Sequence, residues 1–185
     1  MIYGVACSFN READKYIRKL WKDFKDQGIC DLMVDSQNIP HIAFAVFSEV
    51  QINELRGLLK EFTAKQSTID LNLSYIGTFP TDEGVVFLAP KVSAELLDVH
   101  KNLHKLFSNY SFSEKQWDYY KPELWVPHCT MAIKVSESKA LEALKYLKSV
   151  HKPQKLILEK MLVLEYNEEE ESTNELLSFS LGKSK

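Results

Sequence analysis

The chain reads as an α+β protein built from two similar lobes, and three observations carry that reading. Apolar residues make up 45% of its 185 positions, with 26% charged and only 6 Gly and 6 Pro, enough to pack an interior at single-domain length. Short runs with strand alternation are separated by stretches with helical spacing. Finally, the order strand, helix, Pro-His strand, helix, strand occurs twice: Pro40-His41 followed by Ala45 matches Pro127-His128 followed by Ala132, an offset of 87 positions. Each copy is then followed by Ser-Glu, at Ser48-Glu49 and Ser136-Glu137. Half the chain alone would have a thin core, so the expectation is one bilobal domain over 1–185, with lobes near 1–82 and 83–185 and strands free to cross between them.

Element by element, residues 2–9 read as a buried strand, and Asn10 is placed to cap a helix over 11–27 that ends at Gly28. After the polar loop Asp35-Ser36-Gln37-Asn38, residues 40–47 form a strand. Ser48 and Gln51 make a capping-box pattern before a helix carrying Leu55, Leu58, Leu59 and Phe62. Strands over 68–77 and 84–89 flank a turn at 80–84. A helix over 92–107 carries Leu96, Leu97, Leu103 and Leu106. An aromatic-rich connection, 109–123, leads into a strand over 125–133, a helix over 137–149 and closing strands at 154–165 and 174–181. The run Glu168-Glu169-Glu170-Glu171 reads as a solvated hairpin loop, with a divalent-cation site as the remote alternative.

Charge and cysteine content narrow the function classes. The balance of 23 Lys+Arg against 26 Asp+Glu gives a net −3, which speaks against a coat for duplex nucleic acid. Cys7, Cys30 and Cys129 form no CxxC pair and are odd in number, so reduced, partly buried thiols are expected. The N-terminus lacks a basic n-region, and no apolar run approaches the roughly 20 residues of a membrane span. A cytoplasmic monomer is the expectation.

Alternation puts His41, Ala43 and Ala45 on one strand face and His128, Thr130 and Ala132 on another, each opposite an apolar face. Small residues beside an imidazole leave room for a ligand, and two histidines facing each other across a groove suit paired proton transfer near neutrality. A single histidine on such a strand is by default a hydrogen-bonded core residue; the matched pair is what points to catalysis.

Pro40-His41-Ile42-Ala43-Phe44 and Pro127-His128-Cys129-Thr130-Met131 resemble the paired His-x-Thr/Ser motifs of the two-histidine phosphoesterase superfamily, which includes the bacterial 2′-5′ RNA ligase-like proteins. The resemblance extends to the strand end Gly77-Thr78-Phe79-Pro80 and to Tyr120-x-Pro122-x-x-Trp125-x-Pro127-His128. It implies a bilobal duplicated fold, two antiparallel sheets with flanking helices around a central groove. It also implies metal-independent action, without cofactor, on a cyclic phosphate or phosphodiester of a nucleotide or RNA end. His41 and His128 would be general acid and base, in either order, and Thr130 would hold a phosphate oxygen. The chain departs from the family pattern at Ala43, where the hydroxyl residue is missing, and this motivates a second reading as a non-catalytic phosphate- or nucleotide-binding member of the fold.

Further candidates for substrate contact are Lys134, on the His128 face by alternation, and Tyr120 and Trp125 in the approach to the second motif. Tyr110, Phe112, Trp117 and Tyr119 in the same connection could stack a base or simply anchor the loop. His100 and His104 have the i, i+4 spacing of a two-ligand metal site, but Lys101 stands where His-Glu-x-x-His has Glu, and a metal hydrolase is the weakest reading.

Overall fold

A computed structural model describes residues 1–182. Strands β1 (Ile2–Phe9), β2 (His41–Phe47), β3 (Ile69–Thr78), β4 (Gly84–Pro90), β5 (Cys129–Val135), β6 (Gln154–Asn167) and β7 (Ser172–Ser180) form one antiparallel sheet. Helices α1 (Arg11–Asp26), α2 (Leu32–Asp35), α3 (Ile52–Thr63), α4 (Ala94–Phe107) and α5 (Glu137–Val150) flank it. The α+β class and the antiparallel, helix-flanked architecture are those expected.

The strand order is β2-β1-β6-β3-β4-β5, with β7 also on β6. The long β6 joins the halves. Its first residues, Gln154–Leu158, pair with β3, whereas Leu158–Tyr166 pair with β1 and Lys160–Asn167 with β7. The two expected sheets are therefore halves of one continuous sheet. Strands cross between the halves of the chain: β3 pairs with β4, whereas β6 returns to pair with β1 and carries β7 on its other edge. Although β2 and β5 stand at opposite ends of the strand order, they pack against each other, so the sheet folds back on itself.

Sequence chemistry explains the elements. Asn10 caps α1 through its side chain, accepting from Ala13 N, and Ile17, Leu20, Trp21 and Phe24 then recur at helical spacing into the core. Ser93 and Ser136 cap α4 and α5 the same way. The capping box expected at Ser48 and Gln51 does not form. Ser48 N instead bonds Lys115 O, and α3 starts at Ile52 behind Gln51. The acidic run is the β6–β7 turn, as expected of a hairpin loop. Cys7, Cys30 and Cys129 are buried free thiols. Among the described residues, no helix is long and apolar enough to cross a membrane.

Candidate functional site

His41 opens β2, and His128 immediately precedes β5, the two strands whose packing folds the sheet back. Trp125 helps hold them together: its indole N–H donates to Ala43 O at 2.9 Å, tying the approach to β5 onto β2. The buried Cys129 thiol, pushed up to about 12 by burial, lies beside the backbone N–H of His41.

The two imidazoles are held in the same way. His41 Nδ1 lies 2.6 Å from Ile39 O, and His128 Nδ1 lies 2.7 Å from Val126 O, each the carbonyl two residues back. A carbonyl only accepts, so Nδ1 carries the proton in both rings, and Nε2 is the nitrogen left for other chemistry. Burial pushes both rings below the ordinary imidazole range. The carbonyl bonds offset part of that shift, and at His41 the neighbouring His128 deepens it. Both residues keep some exposure to solvent.

Their surroundings differ. His128 stands against Phe79 (ring centroids 5.0 Å apart) and Phe87 (5.2 Å), which contact each other at 4.6 Å. Gly77 makes room for this wall: a Cβ there would lie 2.6 Å from Phe87. Thr130 faces Phe87 in register, and its backbone carbonyl accepts from Trp21 Nε1 at 3.0 Å. Around His41 the register supplies small groups instead, with Ser8 opposite His41 and Ala6 opposite Ala43.

Not every candidate joins this groove. Lys134 sits at a β5 bulge with φ of 56°, which breaks the alternation that put it on the His128 face. Its ammonium pairs with Glu171 at 3.2 Å and lies over Tyr166, in a separate cleft lined by Asp31, Asp35, Ser136 and Glu170. Trp125 is only 9% exposed and stacks on His100 at 3.7 Å, so the ring acts as a brace inside the core. Tyr120 closes a 3₁₀ turn at Asp118–Tyr120 and packs against the core, where burial pushes its phenol up. His100 and His104 turn inward, each with Nε2 on Phe44 O, at 3.0 and 2.9 Å. Sequence reasoning missed Ser8 and Phe87. Phe79 stands in the sequence within the strand end Gly77-Thr78-Phe79-Pro80, where Gly77 is the signal for a tightly approached ring.

An antiparallel, helix-flanked α+β sheet folds back so that β2 and β5 meet, and each of these strands is entered by a Pro-His pair. Residues 10–170 match the family model of the 2′-5′ RNA ligase superfamily, and the chain belongs to that superfamily, the two-histidine phosphoesterases. No curated protein matches it by sequence. Its fold is similar to that of solved structures at low identity. TT0787 of Thermus thermophilus is 15% identical with a TM-score of 0.65, covering 100% of both chains. A structure described as a phosphoesterase is 15% identical at TM-score 0.63, covering 98% of each chain. E. coli LigT complexed with 3′-AMP is 15% identical at TM-score 0.61, again with 98% of each chain covered.

Proposed function

We propose that the protein is a metal-independent phosphoesterase that opens a cyclic phosphate, or cleaves a phosphodiester, at a nucleotide or RNA end. The observation that carries this reading is the duplicated imidazole geometry, with both Nδ1 atoms tied to backbone carbonyls, both Nε2 atoms left for other chemistry, and His128 near enough to lower His41. One neutral imidazole takes a proton from the attacking water through Nε2. The opposite imidazolium gives its Nε2 proton to the departing ribose oxygen, and the Nδ1 bond to a carbonyl supports that charged form. Thr130, two residues beyond His128, steadies a phosphoryl oxygen. Membership of the superfamily and the 3′-AMP complex of the structurally similar LigT both support a nucleotide phosphate as substrate.

Either imidazole is expected to contribute on the order of 10²–10⁴-fold. His41→Ala and His128→Ala should each lose roughly 100-fold or more in hydrolysis of 2′,3′-cyclic AMP while unfolding at the wild-type temperature, and EDTA should change nothing. Full turnover in both variants contradicts the proposal. Ala43 favours a second reading, a phosphate-binding protein without turnover, because neither it nor Ala6 opposite carries a hydroxyl. Titration calorimetry with 3′-AMP beside the hydrolysis assay separates the two, since binding without turnover supports the second.

A further inference from the structure

The two half-sites are unequal in hydrogen-bonding capacity. Beyond His128 stands Thr130; at the matching place beyond His41 stands Ala43, with Ala6 across from it, and neither has a side chain able to bond an oxygen. One row along, β1 places Ser8 opposite His41, and β6 places Lys160 opposite Ser8. Directly opposed residues in an antiparallel pair share a face, with Cβ atoms about 4.5–5.5 Å apart. An imidazole, a hydroxyl and an ammonium thus run side by side across β2, β1 and β6.

Ser8 is 7% exposed, yet its hydroxyl has no hydrogen-bond partner among the described residues. It is not sealed in the core either, for among the described residues the enclosed hydroxyl without a partner is that of Thr173. Ser8 lines a cleft of about 300 Å³ together with Ile39, whose carbonyl holds His41, and with Lys160. Lys160 is exposed and forms no ion pair among the described residues. Arg18 on the same cleft is committed to Asp14, and Glu159 and Glu175 temper its charge.

We propose that Ser8 supplies the hydroxyl of the first half-site in place of position 43, donating to an oxygen of the bound phosphate ester, with Lys160 adding attraction from the next strand. Ala43 then serves as the gap that lets that oxygen reach β1. The proposal rests on the paired-histidine reading and adds a substrate-binding residue to it.

The test uses the full chain with Ser8→Ala, Ser8→Cys, Ala43→Thr, the Ser8→Ala/Ala43→Thr pair and His41→Ala. Hydrolysis of 2′,3′-cyclic AMP, inorganic phosphate binding followed through the histidine NMR signals, and thermal unfolding are measured for each. A hydrogen bond to a charged oxygen corresponds to roughly 10- to 100-fold. Ser8→Ala and Ser8→Cys should lose that factor in kcat/KM and in phosphate affinity at unchanged unfolding temperature. Ala43→Thr should restore much of it in the Ser8→Ala background while adding little to wild type. Ser8 variants within twofold of wild type, beside an inactive His41→Ala, overturn the Ser8 role and leave the histidine pair standing. An equal gain from Ala43→Thr in both backgrounds, or a loss matched by a lowered unfolding temperature in both Ser8 variants, overturns it as well. Wild-type protein that neither hydrolyses the cyclic nucleotide nor binds phosphate overturns the paired-histidine reading and this one with it.

Discussion

Acidification should unfold this protein partly through His100, and the size of the effect follows from its surroundings. The ring is 1% exposed, stacked on Trp125 at 3.7 Å with 6° between planes, and bonded through Nε2 to Phe44 O. The same carbonyl takes the His104 Nε2 bond, so both of its lone pairs are used by neutral imidazoles. Burial, with His104 alongside, pushes His100 from 6.5 down to about 3. Between those two values the unfolded chain binds a proton that the native protein refuses, so stability rises with pH across this window and falls as the solution is acidified. Each pH unit inside it is worth about 1.4 kcal/mol. Going from pH 7 to pH 5 crosses about 1.5 units of the window, a loss of roughly 2 kcal/mol from this one residue. His100→Gln keeps an amide donor and removes the titration, while His41, His104, His128 and His151 titrate in both proteins. Urea unfolding at pH 7 and pH 5 should show wild type losing about 2 kcal/mol more than the variant. Equal losses in the two proteins would refute the reasoning.

Two other expectations follow from the groove itself. Burial lowers both His41 and His128, and paired acid–base catalysis needs one proton on the pair; the kcat/KM maximum should therefore lie between two apparent values that are both below 6.5. A pH–rate profile peaking above pH 7 would contradict it. Gly77→Ala would put a methyl 2.6 Å from the Phe87 ring, which is confined between Phe79 and His128. About 1–3 kcal/mol of stability should be lost in urea unfolding, and kcat should fall as His128 is displaced; a variant with wild-type kcat would show that the ring moves without it.

What was legible in the chain was local. Period-two alternation and the 87-residue offset singled out both Pro-His strands, and Asn10 announced the start of α1. What escaped depends on pairing between distant segments. Ser48 carries a capping signal, but a backbone bond to Lys115, 67 positions away, claims its N–H first. Lys134 follows the alternation until a bulge between Gly84 and Val86 turns it toward Glu171. Trp125 looks like a groove aromatic in sequence. Only the packing of α4 against β2 reveals that His100 occupies its face. Ser8 becomes visible only once the β1–β2 register sets it opposite His41.

The proline before each histidine gives the duplication a chemical sense. Proline holds its own φ near −65° and drives the preceding residue toward extended backbone. Ile39 and Val126 occupy that preceding position, and theirs are the carbonyls that the Nδ1 atoms meet, at 2.6 and 2.7 Å. The Pro-His pair therefore fixes the same tautomer twice over, and in the proposed reaction either ring could serve as acid or base. Any division of labour must come from what stands beside them. On one side two phenylalanine rings confine His128 and offer an apolar wall. On the other, Ser8 and Lys160 give His41 a polar row suited to an anion, with the small Ala43 in the row beside it. A phosphate ester is itself divided this way, into a charged phosphoryl group and an organic remainder. The asymmetry of the two half-sites, laid over a symmetric pair of imidazoles, would then orient the ester and so decide which histidine meets the leaving oxygen.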